Sequence, residues 1–339
     1  MKYISPQVLA FVSSLLMSLI LGPLFIPALT RLKFGQTVRD DGPKTHFVKK
    51  GTPTMGGMIF LIPVTVVGIY FSQKDLRILP LLFVTLGFGI IGFLDDFIKV
   101  IKKRKDGLYA YQKMIGLLFI ATVFAFYIDR YSNIGTGIMI PFSNREISLA
   151  WAFIPFTVFV LIAVTNAVNI TDGLDGLAAG VTIIVALFFA MASIIGVGFE
   201  LKSMLGLLNE NRYDYVSVFC SILAGGCMGF LFYNRYPAKV FMGDTGSLAL
   251  GGAIGASAIV MKMPLILIIA GGIYVLETLS VIIQVTSFKL RGKRVFKMAP
   301  IHHHFELSGW KETGVVKLFV LITLVLCIVS LAALKIRFF

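Results

Sequence analysis

Charge is what this sequence has least of. Of its 339 residues, 14% are charged, where a water-soluble globule carries about 25%. Acids are the scarcer sign, 17 against 31 Lys and Arg. The three cysteines, Cys220, Cys227 and Cys327, sit in apolar runs without CxxC spacing, which argues against a disulfide framework or a cysteine metal site. There is no internal repeat, no low-complexity tract and no polar stretch long enough for a soluble domain. The first apolar run is followed by no small-residue cleavage site, so a retained helix is expected there rather than a signal peptide. Hydrophobic residues are abundant at 57%, thirty of them Phe, and the mean hydropathy is +0.89. Such a chain cannot cover a water-facing body with polar surface. It reads as an all-α, polytopic integral membrane protein, one transmembrane domain over 1–339.

A helix needs about 20 apolar residues to cross the hydrocarbon core. Ten stretches qualify: 7–30, 54–72, 78–98, 114–130, 149–166, 174–196, 214–233, 244–262, 264–287 and 314–335. Runs such as LITLVLCIVSLAAL lack the period-2 alternation of a β-barrel. The net charge of +14 is better explained by membrane topology than by nucleic acid, because cytoplasmic loops collect Lys and Arg. Six basic residues fall in each of the 31–53, 98–113 and 286–313 loops and two in 234–243, against ten on the opposite side. These four loops and 166–174 are therefore expected in the cytoplasm, with both termini on the periplasmic or extracellular side.

Ionisable groups at membrane depth are costly and mark function by default. Most lie at the cytoplasmic helix ends. Asp95 and Asp96 in GFLDDFIK, with Lys99, suit a divalent metal or a phosphate. Asn166, Asn169 and Asp172 recur every third residue in NAVNITDGLDG, stacking on one helical face, with Asp175 following. This loop alone among the five has no Lys or Arg. In FMGDTGS, glycines permit close backbone approach and a helix N-terminus favours phosphate. Asp244 would repel that phosphate unless Mg²⁺ lay between them. The run His302-His303-His304 lacks zinc-site helical spacing but can donate to a phosphate when protonated. Lys49, Thr54 and the glycines of TPTMGG combine cation, hydroxyl and flexible backbone. Glu277, mid-helix with Gln284 on the same face, suits interhelical hydrogen bonding. Carboxylates for Mg²⁺, cations and glycine loops together describe phosphoryl transfer involving a diphosphate, and the membrane setting makes one substrate a lipid.

TPTMGG at 52–57, GFLDDFIK at 92–99, NAVNITDGLDGLA at 166–178, FMGDTGS at 241–247, ETLSVIIQV at 277–285 and APIHHHFE at 299–306 resemble the phospho-N-acetylmuramoyl-pentapeptide-transferase family. The family sits within the polyprenyl-phosphate N-acetylhexosamine-1-phosphate transferases. One departure is Leu117 after Gly116, where a Gln is expected. The resemblance implies a Mg²⁺-dependent bacterial inner-membrane enzyme with its site facing the cytoplasm, usually a homodimer, with no nucleic-acid partner. Undecaprenyl phosphate would attack UDP-N-acetylmuramoyl-pentapeptide, giving lipid I and UMP for peptidoglycan synthesis. It implies Asp244, Asp95 and Asp172 as metal ligands. Asp95, Asp96, Asp244 and His303 would be catalytic, with Asp95 serving the lipid phosphate and Asp96 orienting the metal or a lysine. Phe241 would stack on uracil. Lys49, Thr54, Lys99, Asn166, Asn169, Asp172, Asp175, Asn234, Ser247 and Gln284 would bind substrate, with His302 and His304 on the diphosphate or sugar side. The alternatives are an N-acetylglucosamine-1-phosphate transferase and, in a different class, an ion-coupled transporter.

Overall fold

The computed structural model describes residues 5–31, 51–102, 107–132, 134–143, 145–203 and 214–335. Helices α1 (Pro6–Arg31), α2 (Met58–Ser72), α3 (Ile78–Ile101) and α4 (Ala110–Tyr131) come first. A short antiparallel hairpin follows, β1 (Gly137–Met139) with β2 (Glu146–Ser148), pairing Ile138 with Ile147. Then come α5 (Phe153–Thr171), α6 (Leu177–Ser203), α7 (Asp214–Asn234), α8 (Gly243–Val260), α9 (Pro264–Ala270), α10 (Gly272–Arg291), α11 (Ile301–Glu306) and α12 (Glu312–Lys335). Eight of these are long and apolar enough to cross a membrane. The shorter apolar α2 and the small-residue α8 account for two more of the ten expected spans. The chain is a multi-pass membrane protein.

The ninth span differs from expectation. It is broken at Gly271 into α9 and α10, and the hydrogen bond from Gly271 N to Leu267 O closes the first piece. The 286–313 segment also differs from a free loop. Helix α10 runs on to Arg291, and the chain then turns back along it. Gln284 Oε1 accepts from Val295 N and Phe296 N at 3.0 and 2.9 Å, and Nε2 donates to Phe296 O at 3.0 Å. Gln284, expected to bind substrate, thus spends its amide on holding this return. Asn166 and Asn169 lie within the last turns of α5 rather than in a loop.

Without a hydrophobic force between helices in lipid, close packing must come from small residues. Helix α8 shows this most fully: it is buried from Thr245 to Val260 and rich in Gly and Ala. A methyl group on Gly251 would press on the Thr165 backbone of α5, and one on Gly252 on the Phe88 ring of α3. Glycine therefore lets α3 and α5 close on α8 from two sides. Leu117, the one motif departure, is simply core at 1% exposure.

Helices α1 and α7 use the same device. Gly225 faces the Phe11 carbonyl oxygen, Gly229 lies against Ser18 and the Leu15 carbonyl, and Tyr233 OH donates to Leu19 O at 2.6 Å. Backbone cannot yield as a side-chain tip can. Gly225→Ala should therefore cost about 1–3 kcal/mol of overpacking. The expected result is a lower thermal midpoint in detergent with kcat unchanged in the protein that remains folded. An unaltered midpoint would show that this helix pair is loosely packed.

Candidate active site

The C-terminal ends of α3 and α5, the N-terminal ends of α4 and α8, and the 51–57 segment meet at one end of the bundle. The segment is fixed by a short backbone ladder. Phe241 N donates to Pro53 O at 2.8 Å, Gly56 N to Phe241 O at 2.8 Å, and Gly57 N to Met242 O at 2.9 Å. The φ of +73° at Gly243 opens α8, and a side chain there would strike Asp96 Oδ2 and Thr54 Oγ1. Glycine is required at this turn, and Thr54 is brought to the site by it.

Asp95, Asp96 and Asp244 present ligand oxygens that all lie within 4.8 Å of one another. Their surroundings separate their roles. Asp96, 3% exposed, accepts at Oδ2 from Thr245 N and Thr245 Oγ1 at 2.9 and 2.7 Å. Asp95 accepts at Oδ1 from Leu108 N at 2.9 Å, and its Oδ2 meets Lys99 Nζ at 2.5 Å. Asp244 gathers most: Lys99 Nζ at 3.1 Å and Lys113 Nζ at 2.8 Å on Oδ2, and Asn169 Nδ2 at 2.9 Å on Oδ1. Lys99 also reaches Asp96 Oδ1 at 3.9 Å. Three acids and two lysines converge in a pocket of hard oxygen donors, the donor set that Mg²⁺ takes.

Asp172 is the difference from the expected ligand set. It caps α5 beside the cluster, and Asp96 stands in the three-carboxylate group where Asp172 was expected. Its pKa is held well above the usual carboxylate range, first by its withdrawal from water, then by the charges of Asp244, Asp96 and Asp175.

The remaining candidates divide. Asn169 Nδ2 also donates to Ser247 Oγ at 2.8 Å, which is fully buried. Asn166 donates to Ile162 O of its own helix at 2.8 Å. Asp175 and Asn234 tie loops together. Asp175 N donates to Glu312 Oε1 at 2.8 Å and its Oδ2 accepts from Ala238 N at 2.9 Å. Asn234 accepts from Gly176 N at 3.1 Å and donates to Val240 O at 2.9 Å. Phe241 is half-buried at the mouth of the ladder. His303 pairs with Glu306 at 2.8 Å, and His304 Nδ1 accepts from Lys297 N at 3.1 Å. Lys49 lies outside the described residues. Sequence reading missed Lys113, counted there only as one of six loop charges. Its signal was position: it enters the first turn of α4, past the KKRKD cluster. It also missed Thr245, whose hydroxyl and amide fix Asp96.

Comparison with known proteins supplies the context. Residues 78–262 match the model of glycosyl transferase family 4. Phospho-N-acetylmuramoyl-pentapeptide-transferase of Acetivibrio thermocellus is 63% identical over 99% of this chain and 98% of its own. The enzymes of that name from Clostridium botulinum strain Alaska E43 and Caldanaerobacter subterraneus are 54% and 50% identical, each with 98% of its own length covered. The matched region carries α3 to α8 and all three clustered carboxylates. The chain belongs to glycosyl transferase family 4 and, within it, to the phospho-N-acetylmuramoyl-pentapeptide-transferases.

Proposed function

We propose that this enzyme transfers phospho-N-acetylmuramoyl-pentapeptide from UDP-N-acetylmuramoyl-pentapeptide to undecaprenyl phosphate, giving lipid I and UMP in the first membrane step of peptidoglycan synthesis. The observation that carries the reading is the convergence of Asp95, Asp96, Asp244, Lys99 and Lys113 at one helix-bundle end. The lipid phosphate is largely dianionic at neutral pH, so it needs little help from a base. One of its oxygens bonds to the β-phosphorus as the bond from that phosphorus to the bridging oxygen breaks, and UMP departs with the bridging oxygen. The difficulty is bringing one anion to another. Lys99 and Lys113 meet that need as cations fixed on Asp244, ready to turn toward phosphate oxygens. Asp96, locked by Thr245, and Asp95, held by Leu108 N, keep the acidic wall rigid.

Asp95, Asp96 and Asp244 would hold Mg²⁺, which when bound supplies charge neutralisation to the diphosphate. Asp172, Asn169, Thr54 and Phe241 line the nucleotide side in this reading, and the triple-histidine helix faces the sugar. The Lys and Arg asymmetry supports a cytoplasm-facing site in the inner membrane, and the family resemblance supports a homodimer.

The test is a coupled assay on the full chain in nanodiscs with undecaprenyl phosphate, UDP-N-acetylmuramoyl-pentapeptide and Mg²⁺. UMP and lipid I are expected in equal amounts, both lost when a chelator is added and restored by excess Mg²⁺. A rate indifferent to chelator would remove the metal. Preference for UDP-N-acetylglucosamine would reassign the substrate.

A further inference from the structure

Glu277 stands apart from the carboxylates above. It lies in the second turn of α10, just past the Gly271 break, and is wholly buried. His302, the first histidine of α11, is 1% exposed, with Nδ1 3.0 Å from Glu277 Oε1. The approach lies off the line of a formed hydrogen bond, and both carboxylate oxygens and both ring nitrogens lack a hydrogen-bond partner. The other ring nitrogen has a definite direction. Any side chain at Gly173 would overlap His302 Nε2. The His302 ring also meets that of His303 edge-on, 4.2 Å between centroids.

A buried acid kept only for packing gains little over an apolar residue of the same shape, and one at membrane depth is a functional hypothesis by default. An acid beside one imidazole nitrogen holds the proton there and leaves the other nitrogen as the acceptor. Here that second nitrogen faces the Asp172–Gly176 turn, which follows directly on the Asn169 face of the site. The Gln284 clasp two turns along the same helix holds Val295 and Phe296 of the chain return that leads into α11.

We infer that Glu277 is a positioning residue that acts through His302: it fixes the ring with its proton on Nδ1 and Nε2 toward the Gly173 turn, and so sets where His303 stands over the substrate. The inference rests on the transferase reading for its last clause only. Its first readout needs no turnover, so failure of one is distinguishable from failure of the other.

The chain has four histidines, which makes ¹⁵N-histidine labelling of the full enzyme in nanodiscs tractable, with His302 assigned by its loss in His302→Asn. In the wild type the His302 proton is expected on Nδ1, with Nε2 bare. In Glu277→Gln that preference should weaken, kcat should fall by about 10–100-fold, and KM for the nucleotide substrate should stay within about twofold. The thermal midpoint should not fall, since the amide keeps the shape of the buried side chain. Glu277→Asp should recover part of kcat. A wild-type His302 carrying its proton on Nε2 overturns the inference. So does Glu277→Gln with wild-type kcat, with an effect confined to KM, or with loss of activity only in step with loss of folded protein.

Discussion

Asp244→Asn is expected to lower kcat by about 10³-fold, the largest effect of any single substitution considered, in line with the loss of one preorganised charge-stabilising group. The reason is topological. Asp244 is where three other helices deliver polar groups: Lys99 from α3, Lys113 from α4 and Asn169 from α5. The amide keeps the shape but removes the charge, so the two lysines lose the anchor that spaces them and the group of three carboxylates loses one member. Protein folding should be little affected, since α8 is held along its buried length by glycine contacts. UMP release by the purified variant, beside Asp75→Asn as a control, measures the effect. Asp75 lies in the α2–α3 turn, paired with Arg77 at 2.8 Å, and its variant should turn over normally. An Asp244→Asn enzyme within tenfold of wild type would remove Asp244 from the centre of the mechanism.

Gly92→Ala should be the next most damaging, at about 10²-fold in kcat, although glycine carries no chemistry. A methyl group at this position would overlap the Asp244 carbonyl and the Thr245 amide nitrogen. Those are backbone atoms, so α3 and α8 must separate. The two bonds by which Thr245 holds Asp96, 2.9 and 2.7 Å, span that same crossing and would stretch first. Displacement of a catalytic group by roughly 1 Å costs about 10²-fold in rate, and overpacking adds about 1–3 kcal/mol of instability. Gly116→Ala is the comparison: its methyl group would meet the tip of the Ile91 side chain, which can rotate away. Equal kinetics in the two variants would mean that the α3–α8 crossing tolerates movement and does not set the site.

The membrane spans were legible because the hydrocarbon core imposes a length that composition cannot disguise. The exceptions have physical causes. The Gly271 break is invisible in hydropathy, since an apolar run stays apolar across a helix interruption. Helix α11 and its buried His302 were hidden because three histidines look equally polar in sequence, and only the fold decides which one is covered by Glu277 and Gly173. Motif spacing suggested the acids as a group but not which of them meet. Asp172 has the helical spacing of a ligand, yet it is Asp96, clamped by Thr245, that joins Asp95 and Asp244. Lys113 could not be distinguished from neighbours that merely obey the charge rule, because its partner is on a helix 131 residues away.

The buried α8 rod has a consequence for traffic across the bilayer. From Thr245 to Met261 it offers no ionisable side chain, and its flanks are sealed by the ring of Phe88 and the backbone of Thr165. A diphosphate-bearing lipid made at the Asp244 end thus meets an insulating shaft rather than a wet corridor. Along this helix no ionisable side chain is placed to carry a charged headgroup through the apolar depth.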